Sequence, residues 1–304
     1  MLKIGVLLIS LLITCLIIEY LLRQIPNDYK LKQSFLTKNS DQIEVLFLGG
    51  SHTLHGINPE LVSMNSFNAS HNSQSLEYDL AILKKYTHHW SNLKFIAVTV
   101  SYPSLFSDLK SDPEAWRAKN YIIYYGIRLS GKLKYYAEIM NGLLWTNLNR
   151  IKEYYLYGAD NVDCNELGWA AYDNPGIITD LEQSGLEAVI RHTIPDDRCF
   201  EMMVGVLDSI IEFASDEEVN LLLITPPAYG SYTENVNKLQ WEMTRNALIE
   251  ADRRHDHCLY LDLMDDSRFT DSDFYDGDHL NQIGAARLTL LIDSILTSTD
   301  KCGW

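Results

Sequence analysis

The chain has 304 residues, of which 46% are hydrophobic, enough for one large α/β domain with an insertion or for two small domains. Its formal net charge of −16 argues against a nucleic-acid partner, because phosphate binding needs clustered lysine and arginine. No long run of like charge occurs, so the acidic residues are expected to be spread over the surface.

The first segment of the chain, residues 4–22, is almost wholly apolar, with Glu19 near its far end. About 20 apolar residues span a bilayer, and no small-residue cleavage site follows this segment. We therefore predict a membrane anchor at 1–22 that contacts the membrane through residues 4–22. A cleaved signal peptide is the alternative. A buried core helix is disfavoured, because the segment is apolar all round.

The orientation of this anchor is open. Lys3 and the terminal amine precede the span, whereas Arg23, Lys30 and Lys32 follow it. Counted by the positive-inside rule, these charges place the large domain in the cytoplasm. A first hydrophobic segment nevertheless commonly exports the long globular domain that follows it. We expect the domain on the extracytoplasmic, periplasmic side.

Four cysteines lie outside the span: Cys164, Cys199, Cys258 and Cys302. An even number is compatible with two disulfides or with four buried thiols. None of these cysteines has the close C-x-x-C spacing of a zinc site, so we expect no structural metal.

Residues 23–42 are polar and mixed, and we predict a stalk there. A buried strand at 43–48 follows, because Val45-Leu46-Phe47-Leu48 is apolar and uncharged. The next predicted elements are a helix start at Asn58-Pro59-Glu60, a short strand at 66–69, a helix from the cap Ser75 to about His89, and a β-branched strand at 95–100.

The regular alternation stops at 103–200, which we interpret as an insertion beside the sheet. It is rich in Tyr and Trp, and its middle, about 114–155, has a helical pattern. The aromatic side chains either form a platform on which sugar rings stack or pack the insertion onto the sheet. Trp169 and Tyr172 are expected to be the exposed ones.

The alternation resumes with a helix near 200–215, and strands at 221–224 and 258–262 enclose a helix at about 233–253. A last helix is predicted at about 281–296, with a tail at 299–304. Strands that alternate with helices predict a parallel sheet with right-handed crossovers. The expected fold of residues 43–298 is a flavodoxin-like three-layer α/β/α domain with a five-stranded parallel sheet and a helical insertion after strand 3.

A serine stands where the first predicted strand ends, in Gly49-Gly50-Ser51-His52. Ligands of open α/β sheets bind at the carboxyl ends of the strands, and the two glycines allow a sharp turn and close approach. Ser51 is therefore placed to be a nucleophile if a base reaches it; a mere turn or cap residue is the alternative. A phosphate-binding loop is disfavoured, because the glycine spacing does not fit and no lysine follows.

The base and its partner are expected from the loop Asp276-Gly277-Asp278-His279, which precedes the last helix. A parallel sheet brings this loop to the same edge as Ser51, so His279 can serve as general base and acid. Asp276 can accept the other ring N–H of that histidine. We assign Asp278 to capping the helix or to its dipole. His52 is expected to be a wall residue, since sequence neighbours point apart.

Gly-x-Ser at the first strand, with Asp-x-x-His before the last helix, resembles the SGNH (GDSL-like) hydrolase superfamily. Gly49-Gly50-Ser51-His52 together with Asp276-Gly277-Asp278-His279-Leu280-Asn281 resembles its membrane-anchored bacterial branch, which is associated with O-acylation or deacylation of cell-surface and exported polysaccharides. The resemblance covers about 43–100 and 200–298. It implies that Ser51 is the nucleophile, His279 the base and Asp276 the orienting acid.

Two motifs of the superfamily are altered in this chain. The loop that should supply a glycine N–H to the oxyanion hole has the sequence Asn68-Ala69-Ser70-His71-Asn72-Ser73-Gln74, and the block that should supply an asparagine has Ser101-Tyr102-Pro103-Ser104. The candidate oxyanion or substrate contacts are Asn72, Ser73, Gln74, Ser101 and His52. Losing one such donor lowers the rate by about a hundred- to a thousand-fold.

The resemblance implies a serine acyl-ester hydrolase or O-acyltransferase that acts on a cell-envelope or exported glycan through an acyl-Ser51 intermediate. Neither a cofactor nor a metal is required. The alternative is a catalytically silent binding or assembly subunit for envelope polysaccharide that uses the same cleft. Hydrolysis and transfer share the acyl-enzyme, so the sequence leaves that choice open, together with the glycan, the acyl donor and the oligomeric state.

Overall fold

The computed structural model describes residues 2–111, 113–172 and 180–302. The chain forms two compact units. One comprises residues 1–34 and 113–163, and the other comprises residues 35–112 and 164–304. The predicted tail at 299–304 is in part the end of the last helix, and residues 303 and 304 lie outside the described residues.

The second unit is built on a five-stranded sheet. Its strands are β1 (Val45–Leu48), β2 (Ser66–Asn68), β3 (Phe95–Thr99), β4 (Asn220–Thr225) and β5 (Cys258–Asp262). They lie in the order β2-β1-β3-β4-β5, and each neighbouring pair is parallel. This is the flavodoxin-like strand order, so the predicted fold is confirmed. The carboxyl ends of all five strands therefore share one edge of the sheet.

The α-helices are α1 (Leu2–Gln24), α2 (Asp28–Asn39), α3 (Ser51–Gly56), α4 (Leu76–Lys85), α5 (Ala118–Asn120), α6 (Leu144–Tyr157), α7 (Leu181–His192), α8 (Phe200–Asp216), α9 (Gly230–Thr233), α10 (Lys238–Arg254) and α11 (Gln282–Cys302). A π-helical turn follows α5 at Tyr121–Tyr125. Short 3₁₀ turns occur at Ser40–Gln42, Pro59–Leu61, Thr87–His89, Ala115–Arg117, Leu133–Tyr136, Glu138–Asn141 and Asp271–Asp273.

Helices cover both faces of the sheet. On one face, the buried cluster joins alternate residues of β1, β3 and β4 to Leu288, Ile292 and Leu296 of α11. These three residues are four apart and therefore lie on one side of the helix. On the other face, α8 packs against β4 and also against α4. The three layers bury the sheet, which explains why its strands are almost continuously apolar.

Helix α4 is shorter than predicted, and its predicted capping hydrogen bond is not formed. It ends at Lys85, and the remaining predicted residues form a 3₁₀ turn at Thr87–His89. Ser75 occupies the N-cap position, but its hydroxyl makes no capping hydrogen bond. Instead it accepts a hydrogen bond from the backbone N–H of Leu109, 3.2 Å away. A tertiary contact thus takes the place of the local cap.

Most of the predicted stalk, 23–42, is the helix α2, and Tyr29, Lys32 and Leu36 are buried along it. In the first unit, the last turns of α1 are tied to the insertion. The carboxylate of Glu19 accepts hydrogen bonds from the backbone N–H groups of Glu138 and Ile139.

The predicted insertion is split between the two units, since residues 113–163 belong to the first unit and the following residues to the second. Within 113–163, three tyrosines are buried: Tyr121, Tyr125 and Tyr135. Lys119 and Arg150 both pair with the buried carboxylate of Glu138, at 2.6 and 3.2 Å. These three tyrosines pack inside the first unit, whereas Trp145 and Tyr157 are exposed, so the structure does not decide between the two interpretations of the aromatic residues.

Three of the four cysteines outside α1, Cys164, Cys199 and Cys258, have free thiols. Of the two alternatives for these residues, the structure therefore favours thiols over disulfides. The side chain of Cys302 lies outside the described part of the chain.

Candidate active site

Ser51 lies at the carboxyl edge of the sheet, directly after the turn that follows β1. Gly49 makes this turn with φ +129°, a left-handed conformation that favours glycine. A Cβ at this position would lie 2.6 Å from Oγ1 of Thr53, so a larger residue does not fit. After the turn, α3 begins at Ser51 itself, which puts the serine at the first position of a helix.

Ser51, His279 and Asp276 come together as the sequence predicts. The Nε2 atom of His279 is 2.8 Å from Oγ of Ser51. Its Nδ1 atom is 3.0 Å from Oδ1 and 3.2 Å from Oδ2 of Asp276. Oδ1 of Asp276 also accepts the backbone N–H of His279 at 2.8 Å, which fixes the carboxylate to its own loop. A hydroxyl, an imidazole and a carboxylate thus form a continuous hydrogen-bonded chain.

Helix α7 holds the loop that carries His279. The backbone N–H of Gly277 donates to Oγ of Ser184, 2.9 Å away. A Cβ at Gly277 would lie only 2.2 Å from Cα of Gly185, so the loop and the helix touch backbone to backbone. This contact needs glycine at position 277, whereas a Cβ at Gly185 would meet Oγ of Ser231 at 2.1 Å instead. A helix from the predicted insertion therefore forms part of the site.

Asp278 does not cap the last helix, so the capping alternative of that prediction is wrong. Asn281 caps α11, because its side-chain oxygen accepts the first N–H groups of that helix at 2.8 and 3.1 Å. Two residues separate Asp278 from the cap. Its buried carboxylate instead faces three imidazoles: His52 at 3.6 Å, His279 at 3.6 Å and His192 at 4.0 Å.

The pKa values follow from this arrangement. Burial alone would lower the pKa of His279, but the carboxylates of Asp278 and Asp276 outweigh burial and raise it. Burial opposes ionisation of Asp278, yet the imidazoles of His279 and His52 hold its pKa well below the usual range. Burial lowers the pKa of His192 to about 4 against the pull of Asp278. At neutral pH, Asp278 is ionised and His192 is neutral.

A second buried acid supports the turn before Ser51. Oδ1 of Asp79 accepts hydrogen bonds from the backbone N–H of Gly49 at 2.9 Å and from Nε2 of Gln74 at 2.6 Å. Burial raises the pKa of Asp79 to about 7 in spite of these two hydrogen bonds. Asp79 was not predicted as a functional residue. A local signal was present, because an acid three residues after Leu76 lies on the buried face of α4.

A cavity of about 150 Å³ opens beside Ser51. Its wall is rich in hydroxyl groups, because six of its lining residues are serines: Ser51, Ser73, Ser75, Ser101, Ser104 and Ser107. Arg191 and His192, from the last turn of α7, complete one side of it. Arg191 and His192 were not predicted as site residues, because no local sequence pattern indicates that α7 lies beside the sheet.

Four of the five predicted oxyanion or substrate contacts line this cavity, namely Ser73, Gln74, Ser101 and His52. Ser73 has φ +56°, which is unusual for a residue other than glycine. The amide of Gln74 donates to Asp79. The ring of His52 stacks on that of His279, with centroids 5.0 Å apart.

The fifth candidate, Asn72, is not among the residues that line the cavity. Its side-chain oxygen lies 3.3 Å from Nε2 of His55, and Nδ1 of His55 lies 2.6 Å from the carbonyl oxygen of Ala170. The structure thus places Asn72 beside a buried histidine behind the site.

Trp169 and Tyr172 are half-buried rather than exposed. The ring of Tyr172 stacks between Tyr275 and His55, at centroid distances of 3.9 and 4.0 Å, and lies 5.8 Å from the ring of His279. The indole N–H of Trp169 donates to the carbonyl oxygen of His55 at 2.8 Å. These aromatic residues form a wall behind the imidazole of His279.

One group of side chains in the described part of the chain has the spacing of metal ligands, namely His52, Asp278 and His279, whose candidate atoms lie within 4.8 Å of one another. Nδ1 of His279 already contacts the carboxylate of Asp276. A metal at this nitrogen would compete with that carboxylate, so the donor set suits a hydrogen-bonded base better than a metal site.

Comparison with known proteins gives a likeness in structure only. No protein-family model and no curated protein sequence matches the chain. A candidate acylhydrolase from Bacteroides fragilis is 11% identical with a TM-score of 0.43, and the match covers 88% of this chain and 96% of that chain. A GDSL-like lipase from Bacteroides thetaiotaomicron is 10% identical with a TM-score of 0.43, covering 89% of this chain and 99% of that chain.

A third solved structure, described as a candidate platelet activating factor from Streptococcus pneumoniae, is 11% identical with a TM-score of 0.45. The match covers 96% of this chain and 99% of that chain. At these identities and TM-scores, the likeness carries no information about activity.

Proposed function

We propose that this protein is a serine acyl-ester hydrolase with Ser51 as its nucleophile, His279 as its base and Asp276 as the orienting acid. The observation that carries the proposal is the hydrogen-bonded chain from Oγ of Ser51 through both nitrogens of His279 to Asp276. A serine hydroxyl alone is a weak nucleophile, and an imidazole held in one tautomer by a carboxylate is what activates it.

The proposed reaction has two steps. Oγ of Ser51 attacks the ester carbonyl while His279 takes its proton; the tetrahedral intermediate then collapses, and His279 gives that proton to the departing alcohol. Water next attacks the acyl-Ser51 ester, with His279 again accepting and returning one proton. The products are the carboxylic acid and the alcohol, and the enzyme is regenerated.

The oxyanion of the tetrahedral intermediate needs hydrogen-bond donors. The backbone N–H of Ser51 is one of the first N–H groups of α3, which have no partner within the helix. We assign it the first donor position. Ser73, Gln74, Ser101 and His52 stay the candidates for a second donor or for substrate contact, since they line the cavity. Asn72 is a weaker candidate, because it lies beside His55.

A short acyl ester of a sugar hydroxyl is the substrate class that this cavity suits best. The cavity volume of about 150 Å³ is well below the roughly 300–1,000 Å³ of pockets for drug-sized ligands. Its six serine hydroxyls offer hydrogen bonds rather than an apolar channel for a long acyl chain. If a sugar hydroxyl replaces water in the second step, the same acyl-Ser51 performs O-acyl transfer to a cell-envelope or exported glycan.

The residues 1–22 are proposed as a membrane anchor that carries the catalytic domain, 43–298, on the extracytoplasmic side. Residues Lys3–Gln24 form a helix whose most apolar stretch has a mean hydropathy of 2.5. No residue of that stretch is buried. The phenol of Tyr155 reaches the carbonyl oxygen of Leu21 at 3.4 Å, so α6 lies beside the last turn of α1. Large apolar side chains are exposed at both ends of α6: Leu143, Leu144, Trp145, Leu156 and Tyr157. A signal sequence is the alternative for this helix.

The test is hydrolysis of p-nitrophenyl acetate and of an acetylated oligosaccharide by the full chain in detergent. Ser51→Ala should lower turnover of both esters by at least about a thousand-fold, because the nucleophile is lost. Ser209→Ala is the matched control, since Ser209 is a half-buried serine on α8 whose hydroxyl bonds only within that helix; this variant should turn over both esters at the wild-type rate. Retention of acetyl-ester turnover by Ser51→Ala would contradict the mechanism.

A further inference from the structure

The cavity beside Ser51 contains one permanently charged side chain, that of Arg191. It lies in the last turn of α7, and its side chain is 60% exposed. The nearest carboxylate oxygen to its guanidinium is Oδ1 of Asp278, at 3.9 Å, which is beyond hydrogen-bonding distance. Asp278 in turn already faces three imidazoles. The guanidinium donors of Arg191 therefore remain available to a ligand.

The other arginines of the second unit are all paired. Each has a carboxylate oxygen within 3.2 Å: Arg198, Arg245, Arg253, Arg254, Arg268 and Arg287. The chain has 41 acidic residues against 25 basic ones, so carboxylate partners are plentiful. In the described part of this unit, Arg191 is the one arginine whose nearest carboxylate oxygen, at 3.9 Å, is too far for a hydrogen bond, and it lines the cavity.

The cavity is also kept free of negative charge. No aspartate or glutamate is among its lining residues in the described part of the chain, although acidic residues dominate the composition. His192 contributes no positive charge at neutral pH, because burial holds its pKa at about 4. Among the described residues that line the cavity, Arg191 is the one that carries a permanent charge.

We infer that Arg191 binds an oxyanion carried by the ester substrate, so that the substrate class is an acylated acidic sugar rather than a neutral one. This inference rests on the proposed function. A guanidinium pairs with a carboxylate or a phosphate through two parallel hydrogen bonds, which fixes orientation as well as charge. The anion at Arg191 would hold the sugar while its acyl ester reaches Ser51.

The net charge of −16 does not oppose this inference at contact distance. Charges on the surface are screened beyond about 8 Å at physiological ionic strength. Inside the cavity, the nearby guanidinium therefore outweighs the distant acidic surface. The one close carboxylate, that of Asp278, is buried and also faces three imidazoles, so it neutralises Arg191 only in part. The overall charge is expected to slow the approach of an anionic substrate at low salt without removing its preference for Arg191.

The test compares substrates that differ only in charge. The full chain is given 3-O-acetylated methyl glucuronoside, its neutral 6-carboxamide and the 6-phosphate of acetylated methyl glucoside, and acetate release is measured as kcat/KM. The wild-type protein should prefer the better of the two anionic substrates over the carboxamide by about ten- to a hundred-fold, as expected for a hydrogen-bonded charge. The ranking of carboxylate and phosphate identifies the oxyanion.

Arg191→Gln should remove this preference, and Arg191→Lys should keep part of it. Arg191 also lies close enough to lower the pKa of His279, so its loss affects every ester through the base; the ratio between charged and neutral substrates cancels that effect. Arg254→Gln, which breaks an ion pair with Glu250 on α10, is the control and should keep the wild-type ratio. An unchanged ratio in Arg191→Gln would overturn the inference.

Binding separates this inference from the proposed function. In the Ser51→Ala background, the deacetylated glucuronoside or the 6-phosphate should bind at least about tenfold more tightly than the carboxamide, and Arg191→Gln should abolish the difference. If neutral esters are hydrolysed but no charge preference is found in either assay, the inference fails and the esterase stands. If no ester is hydrolysed but the anion binds through Arg191, the proposed chemistry fails and the anion site stands.

Discussion

Asp278 gives the imidazole of His279 a second carboxylate neighbour. Nδ1 of His279 lies 3.0 Å from Asp276 and 3.6 Å from Asp278. In the proposed mechanism His279 takes the proton of Ser51, and the imidazolium then forms between these two negative charges in a largely buried site, where such contacts are stronger than in water. The same contacts raise the pKa of His279 in the resting protein. They therefore stabilise the imidazolium, and at low pH they leave a smaller fraction of His279 neutral.

Asp278→Asn should therefore shift the acidic limb of the pH–rate profile to lower pH. His279 acts as a base only when neutral, so activity falls as the pH drops through its pKa; removing a carboxylate that raises this pKa moves the fall to a more acidic pH. The plateau of kcat/KM should fall about tenfold, since an ionic contact of about 1.4 kcal/mol to the imidazolium is lost.

The measurement is kcat/KM for a neutral ester between about pH 5 and 9. Asp196→Asn is the control, because Asp196 pairs with Arg198 on the surface and should leave the profile unchanged. A limb that stays in place or moves to higher pH would show that Asp278 does not act on His279.

At the scale of elements, the sheet was predictable and α7 was not. The strands were readable because β1, β3 and β4 are apolar and buried on both sides. Helix α7 lies in the part of the insertion for which no helix was predicted, although its cap at Asp180 and its apolar residues at helical spacing are local signals for one. Its position depends on the backbone contact between Gly185 and Gly277, which are far apart in sequence, and no local pattern encodes such a contact.

Distant contacts also explain why the position of Ser51 was predicted correctly and the environment of Asp278 was not. The role of Asp278 is set by His52 and His192, which arrive from α3 and α7, whereas a cap can be guessed from the following helix alone. Ser51 follows a strand, and the edge at which a parallel strand ends is known before any packing is known.

Helix α1 is the element whose role is most open to experiment. As a membrane anchor, it should keep the full chain in the membrane pellet after alkaline carbonate extraction, and the recovered protein should retain residues 1–22. A pair of substitutions, Leu8→Lys and Leu12→Lys, should release the protein, because charges in the middle of a span cost about 2.5–3.5 kcal/mol each. Lys30→Gln, outside the span, is the control.

A C-terminal alkaline phosphatase fusion tests the side of the membrane, because that enzyme is active only when exported. The proposed orientation predicts an active fusion in a Gram-negative host. A soluble product that lacks residues 1–22 would identify a signal peptide, and an inactive, membrane-bound fusion would place the domain in the cytoplasm.

At the scale of the whole molecule, the parallel topology assembles the site from both ends of the domain. Ser51 follows the second strand in spatial order and His279 follows β5, 228 positions later, yet both lie at the carboxyl edge of one sheet. The segment between them supplies α7, which holds the histidine loop and contributes Arg191 to the cavity. The three residues with proposed roles thus come from three distant parts of the chain: the nucleophile Ser51, the base His279 and the anion contact Arg191.

Labelling with a serine-reactive fluorophosphonate, followed by mass spectrometry of the intact protein and its peptides, tests the central claim most directly. The account predicts one covalent adduct, located on Ser51, and a labelling rate lowered by at least about a hundred-fold in His279→Ala. A folded protein that forms no adduct at Ser51 would contradict the account and would favour a catalytically silent binding subunit.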